Sequence, residues 1–130
     1  RNIAATPFVL AGAVLTWTAG FDILYACQDF ACDVAQGLHS IPSKLGIKRA
    51  LLVARLTHGV SAGLLIGLMF TSPVLGPIYL TGAVAACLLL IYEHSLVRAE
   101  DLSRLSLAFF TINGVISCLV ATLGIVDVFM

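Results

Sequence analysis

The sequence is poor in charge. Asp, Glu, Lys and Arg make up only 11% of its 130 residues and hydrophobic residues 60%, whereas a soluble domain usually carries about 25% charged residues. That shortage, with a mean hydropathy of +1.05, excludes an ordinary water-soluble globule. The formal net charge is zero, so no basic excess is available and no nucleic-acid partner is expected. The four cysteines, Cys27, Cys32, Cys87 and Cys118, lack C-x-x-C pairing, which argues against zinc-ribbon and thiol–disulfide motifs. They read as small buried hydrophobes. There is no internal repeat, low-complexity tract or linker, and one domain suffices. No cleavable signal peptide is visible, because the apolar stretch Ile3–Ala19 leads into further apolar runs.

Four such runs are present: Ile3–Cys27, Ala50–Phe70, Val74–Ile91 and Leu105–Met130. Each is close to the roughly 20 apolar residues that cross the hydrocarbon core. Backbone amides in lipid find no water and must bond within the segment, so the runs are expected to be helices. The expected fold is all-α, a polytopic membrane helix bundle with about four transmembrane helices. Small residues inside the spans (Gly59, Ser61, Ala62, Gly63; Gly82, Ala83, Ala85, Ala86) permit close helix approach. Lys44, Lys48, Arg49 and Arg55 lie in or just beyond the first loop, Arg98 and Arg104 in the third, and only Arg1 elsewhere. With four spans those loops share one face. The positive-inside rule makes that face cytoplasmic and puts the turn Thr71–Pro77 and both chain ends outside.

The first loop, from about Gln28 to Arg49, is the long one, and its approach is acidic. If the first helix continues past the membrane surface, Asp22, Tyr25, Asp29, Asp33 and Gln36 fall within roughly an 80° arc. Asp22 then lies roughly 10 Å below Asp29, and a carboxylate inside a span marks a functional cavity. Asp29 and Asp33, spaced i, i+4, repel one another on a bare helix. Mg²⁺ relieves that repulsion, since it takes a few carboxylates and completes its shell with waters and phosphate oxygens. A solvated acidic helix end is the alternative. Gly37 is placed to end the helix, and Pro42 is expected to hold Ile41 in an extended segment Leu38–Pro42. Lys44, Lys48 and Arg49 beside a metal-binding pair suit a diphosphate, although Lys48 and Arg49 serve equally as anchors for the next helix.

The run Phe21-Asp22-Ile23-Leu24-Tyr25-Ala26-Cys27-Gln28-Asp29-Phe30-Ala31-Cys32-Asp33, followed by Gly37-Leu38-His39-Ser40-Ile41-Pro42, resembles the second aspartate-rich motif of the UbiA family of intramembrane aromatic prenyltransferases. Its nearest likeness is to the 4-hydroxybenzoate polyprenyltransferase branch and its menaquinone-pathway relatives. Tyr92-Glu93-His94-Ser95-Leu96-Val97, Asp101-Leu102-Ser103-Arg104 and Ala108-Phe109-Phe110-Thr111-Ile112-Asn113-Gly114 are similar to that branch too, so the likeness spans nearly the whole chain.

The resemblance implies Mg²⁺-dependent transfer of a polyprenyl group from polyprenyl diphosphate to an aromatic acid such as 4-hydroxybenzoate, in ubiquinone or menaquinone biosynthesis. The allylic C–O bond ionises and the carbocation attacks the ring beside a phenol oxygen. Metal and cations stabilise the leaving diphosphate, and a lipid-embedded cavity keeps the cation from water. Asp29 and Asp33 match the metal-side aspartates, and Asp22 and Tyr25 the upstream catalytic positions. Lys44 and His39 are the diphosphate contacts. His39 stands where some relatives have lysine and reads equally as a residue leading into the next helix. Asp22 is open to three roles: orienting the phenol, accepting its proton, or holding a basic partner. The uncharged Phe30-Ala31-Cys32 and Val34-Ala35 depart from relatives that carry charge there. The first motif, N-D-x-x-D-x-x-x-D, does not occur in these residues. The family's usual nine helices therefore imply that residues 1–130 are the C-terminal portion of one membrane-embedded domain and do not act alone. The expected setting is the inner (plasma) membrane of a bacterium, with the acidic loop in the cytoplasm.

The other polar residues receive structural readings. Arg55 and His58, spaced i, i+3, face one side, with Arg55 snorkelling to the interface. Tyr92, Glu93 and His94 form a solvated helix end or else cap the cavity. Ser106, Asn113 and Ser117 line one face of the last helix and hydrogen-bond between helices, and Asp127 is solvated near the outer surface. Two other functions compete: a transporter using Asp22 and His58 as a polar relay, and a non-catalytic membrane subunit. The first would show paired helix breaks and internal symmetry; the second leaves the acidic stripe without a purpose. CDP-alcohol phosphotransferases are set aside because D-G-x-x-A-R is missing.

Overall fold

The computed structural model of the chain describes residues 3–98, 101–105 and 107–130. The expectations for Arg1 and Ser106 fall outside these. The described residues form helices and turns without a β-strand, and four helices are long and apolar enough to cross a membrane. The all-α membrane bundle is therefore observed.

Helix α1 (Thr6–Ala26) carries a proline in its first turn, where no hydrogen bond is lost and φ is already helical. The chain tightens through a 3₁₀ turn at Cys27–Asp29 and resumes as α2 (Phe30–Gln36). Gly37, at φ 67°, ends it in the left-handed conformation. Leu38 N then donates to Asp33 O at 2.8 Å and Gly37 N to Val34 O at 3.3 Å, satisfying the last carbonyls. Gly37 thus stops the helix as anticipated.

Ile41, however, is not extended. It opens α3 (Ile41–Leu45), with Pro42 in the first turn. Ser40 overrides the local bias against a helical residue before proline through a reciprocal cap: Ser43 N donates to Ser40 Oγ at 3.2 Å and Ser40 N to Ser43 Oγ at 2.8 Å.

Then come α4 (Ile47–Thr71), α5 (Pro77–Leu96) and, after a π-helical turn at Leu107–Ile112, α6 (Asn113–Phe129). The spans are displaced from the apolar runs in the sequence. The second starts at Ile47 and the third occupies Pro77–Leu96, because helices begin at caps and prolines rather than at the first apolar residue.

The bundle is built from two antiparallel pairs, α1 on α4 and α5 on α6, joined along a thinner α4–α5 seam. Leu24, Cys27 and Ala54 of the first pair meet Ala86, Leu90 and Ile116 of the second in the main core. Buried hydroxyls are satisfied by carbonyls of neighbouring helices: Ser61 Oγ donates to Ala13 O at 2.8 Å, and Tyr79 OH to Leu65 O at 2.7 Å. Among the small residues, Ser61, Ala83 and Ala86 are fully buried, whereas a Cβ on Gly59 or Gly63 would have no neighbour within 4 Å. Only part of that set mediates contact.

Two further expectations are corrected. Cys27 alone among the cysteines is buried, while Cys32 and Cys118 are exposed; an apolar run in a membrane helix has an outward face as well as an inward one. Asp127 is not simply solvated. Its Oδ2 accepts from Gly76 N at 2.6 Å and Tyr79 N at 2.9 Å, capping the N-terminus of α5 from the end of α6.

Candidate active site

The acidic face is set by the length of the first rod. Thr6–Gln36 is one apolar-to-polar rod of 31 residues, and α1 alone, at about 1.5 Å per residue, already matches the roughly 30 Å hydrocarbon core. Asp22 thus lies within the last turn or so of membrane depth, and α2 projects beyond it. The 3₁₀ turn also re-aims the stripe. Three residues advancing about 120° each instead of 100° rotate everything after Asp29 by roughly 60°. Asp33 consequently stands off the Asp22 direction by roughly 80°, and the straight stripe expected of an unbroken α-helix becomes a twisted one.

Asp29 sits at the N-cap of α2, with φ −95° and ψ 10°, and its side chain caps nothing. It is exposed, as are Asp22 and Tyr25. Asp33 is half-buried, and Ser40 Oγ donates to its Oδ2 at 2.9 Å. One serine therefore both caps α3 and fixes the orientation of a candidate metal ligand. Ser40 stood in the motif without an assigned role. The S-x-x-S spacing that forms the cap was its available signal. His39, exposed, lies in the short segment between Gly37 and α3, and Lys44, exposed, is in the last turn of α3. Asp33, His39 and Lys44 are thus brought to one helix–turn–helix corner. Among the described residues no group of three or more His, Cys, Asp or Glu gathers as a metal cluster.

Asp22 belongs to a different part of the surface. It lines a cavity between α1 and α6 with Trp17, Thr18, Phe21, Asn113 and Ser117. Trp17 Nε1 and Asn113 Oδ1 are buried there without hydrogen-bond partners. The interhelical bond expected of Asn113 through its oxygen is therefore not made, and Asn113 lines the Asp22 cavity instead.

The expectation of a solvated end at Tyr92–His94 holds for the exposed Tyr92 but fails for Glu93 and His94. Glu93 is fully buried, and neither carboxyl oxygen has a partner among the described residues. The reason is periodicity: Ala86, Leu90, Glu93 and Val97 share the core face of α5. His94 bonds across the seam. His58 Nε2 lies 3.0 Å from Trp17 O and His58 Nδ1 2.7 Å from His94 Nε2. A carbonyl only accepts, so Nε2 of His58 donates to it; as neutral rings, His94 Nε2–H then donates to His58 Nδ1. Both nitrogens of His58 are thereby engaged, and neither forms a relay with Asp22. Phe21 stacks edge-on against His58 at 4.6 Å, and a Cβ on Gly20 would overlap the imidazole. Glycine at 20 is what lets α4 bring this histidine against α1.

Antiparallel apolar helices, with carboxylates concentrated where one of them leaves the hydrocarbon, define a polytopic integral membrane protein with its polar chemistry at one end. The sequence profile of the UbiA prenyltransferase family matches residues 1–115, and the chain belongs to that family. Membership brings prenyl-transfer chemistry, a prenyl diphosphate substrate and a bilayer setting, and enzymes of this family generally use divalent metal ions. No curated protein and no solved structure matches the chain.

Proposed function

We propose that residues 1–130 supply one wall of the active site of a Mg²⁺-dependent prenyltransferase. The enzyme moves a polyprenyl group from its diphosphate to an aromatic acid of the 4-hydroxybenzoate type, in the ubiquinone or menaquinone route. The observation that carries this reading is the corner at Asp29 and Asp33. Two carboxylates lie just beyond the membrane depth of their helix, one oriented by the Ser40 hydroxyl at 2.9 Å, with Lys44, Lys48 and Arg49 following immediately.

The donor set suits Mg²⁺, which takes one or two carboxylates and leaves the rest of its shell to water and phosphate oxygens. Bound there, the ion would neutralise the diphosphate. Asp29 and Asp33 hold it, and Ser40 fixes Asp33. Lys44 and His39 contact the diphosphate from α3 and its approach. Asp22 faces the aromatic acceptor from the α1–α6 cavity, with Tyr25 one turn further along. The remaining metal ligands come from an aspartate-rich segment that these residues do not contain, so residues 1–130 by themselves are inactive. The charged loops lie on the cytoplasmic side of a bacterial inner membrane. The transporter reading loses its main support, because His58 is committed to Trp17 O and His94.

The test is transfer from a polyprenyl diphosphate in membranes containing the full-length protein. Asp29→Asn and Asp33→Asn should each abolish Mg²⁺-dependent product. Wild-type turnover in both variants would end the ligand assignment.

A further inference from the structure

A further opening in the bundle lies away from the acidic corner. Along the α4–α5 seam lies a cavity of about 530 Å³, inside the range of about 300–1,000 Å³ typical of small-molecule sites. Its walls are apolar or small, among them Gly59, Ala62, Leu90 and Ile91, and one end is polar, formed by Arg55, His94 and Ser95. Its floor is the His58–His94 hydrogen bond that joins the two helices. Arg55 is exposed and makes no ion pair among the described residues. It lies beside the last turn of α5, where the helix leaves the membrane. An unneutralised guanidinium at the mouth of an apolar, membrane-embedded slot has the charge layout of an amphiphile reversed.

We infer that the α4–α5 seam is a binding site for an anionic phospholipid, its phosphodiester against Arg55 and its acyl chain in the slot between Gly59, Ala62, Leu90 and Ile91. The phosphate is the complement of the guanidinium, and basic pockets between transmembrane helices bind anionic headgroups on general grounds. The occupant is a lipid rather than a free anion because the lining below the rim is predominantly apolar, with Gly59, Ala62, Leu90 and Ile91 beside a His58 whose ring nitrogens are already bonded within the protein. The floor of this site bonds to Trp17 O through His58, so its contents bear on α1 at a residue that also lines the Asp22 cavity.

The experiment is native mass spectrometry of the full-length protein released from nanodiscs of equal phosphatidylglycerol and phosphatidylcholine. Retained lipid should favour phosphatidylglycerol by roughly fivefold, the factor one basic residue near the surface confers. Arg55→Gln should bring the ratio to that of the bulk and Arg55→Lys restore most of it, while Arg49→Gln, away from the slot, leaves it unchanged. Gly59→Trp should reduce retention of both lipids, by filling the slot, with the melting temperature held. No retained phospholipid, no preference between the two lipids, or equal loss in Arg49→Gln and Arg55→Gln would overturn the site. So would full retention in Gly59→Trp. A melting-temperature control on every variant separates loss of the site from loss of the fold.

Discussion

Gly20→Ala adds a single methyl group where the bundle has no room for it. The new Cβ falls on Cδ2 and Nε2 of His58. The ring is restrained on three sides: by Trp17 O at 3.0 Å, by His94 Nε2 at 2.7 Å and by the edge-on Phe21 at 4.6 Å. Overpacking of this kind costs about 1–3 kcal/mol, and two hydrogen bonds given up as the ring moves add about 1 kcal/mol each. The expected loss is therefore about 3–5 kcal/mol, against which the helix propensity gained from alanine, about 1 kcal/mol, is minor. The assay is reversible unfolding of the full-length protein in mixed micelles or bicelles, arranged as a double-mutant cycle with His58→Ala. Removing the imidazole opens the space that the methyl group needs and leaves no hydrogen bonds to lose, so the double variant should be about 3–5 kcal/mol more stable than the sum of the single effects. A Gly20→Ala protein within about 0.5 kcal/mol of wild type, or an additive cycle, would refute the claim that this glycine exists to admit His58.

Other positions give smaller and separable effects. Asp127→Ala removes the acceptor for Gly76 N and Tyr79 N and should cost about 0.5–2 kcal/mol; Asp127→Asn keeps an acceptor and should recover most of it, and equal stability in all three proteins would dismiss the cap. Ser40→Ala should raise the Mg²⁺ concentration for half-maximal transfer and lower hydrogen-exchange protection at Ser43, with both restored by Ser40→Thr. An unchanged Mg²⁺ requirement would separate Asp33 from the metal. In the loop after α5, the hydrogen bond from Ser103 holds the Asp101 carboxyl below the usual carboxylate range, with Arg104 and Arg98 adding attraction. Because the folded value is the lower one, this turn has its full stabilisation above about pH 4 and loses it as pH falls through the folded value. Protection of the Ser103 amide should decline in that direction, and a rise on acidification would contradict the assignment.

The fold was legible because the bilayer permits so few solutions. Long apolar runs separated by short polar ones fix the helices and their number, and Gly37 was recognisable as a stop. The terminal residues of each helix depend on caps, which hydropathy does not register. Pro42 illustrates this, since a local steric preference was overruled by two serines exchanging hydrogen bonds. The acidic run was visible as a unit, but its geometry was not: a 3₁₀ turn of three residues carries no strong signature, and it rotates Asp33 away from Asp22. Glu93 was misjudged because a charged residue near a helix end suggests solvent. Its spacing from Ala86, Leu90 and Val97 places it inward all the same. Long-range partners such as Asp127 with Gly76, or His58 with His94, follow from the packing of the two helix pairs, which no single stretch of sequence encodes.

The clasp between Asp127 and the start of α5 bears on how the protein is made. Gly76 N and Tyr79 N are among the first groups of the third span to emerge, yet their acceptor lies 51 and 48 residues later in the chain. Those amides stay in the hydrated headgroup zone while α6 is synthesised and crosses back. Closure of the clasp therefore marks arrival of α6, and α5 and α6 become a locked hairpin only after translation has passed residue 127. A truncation that removes only the last turn of α6 would leave two apolar helices inserted but without the bond that holds their far ends together.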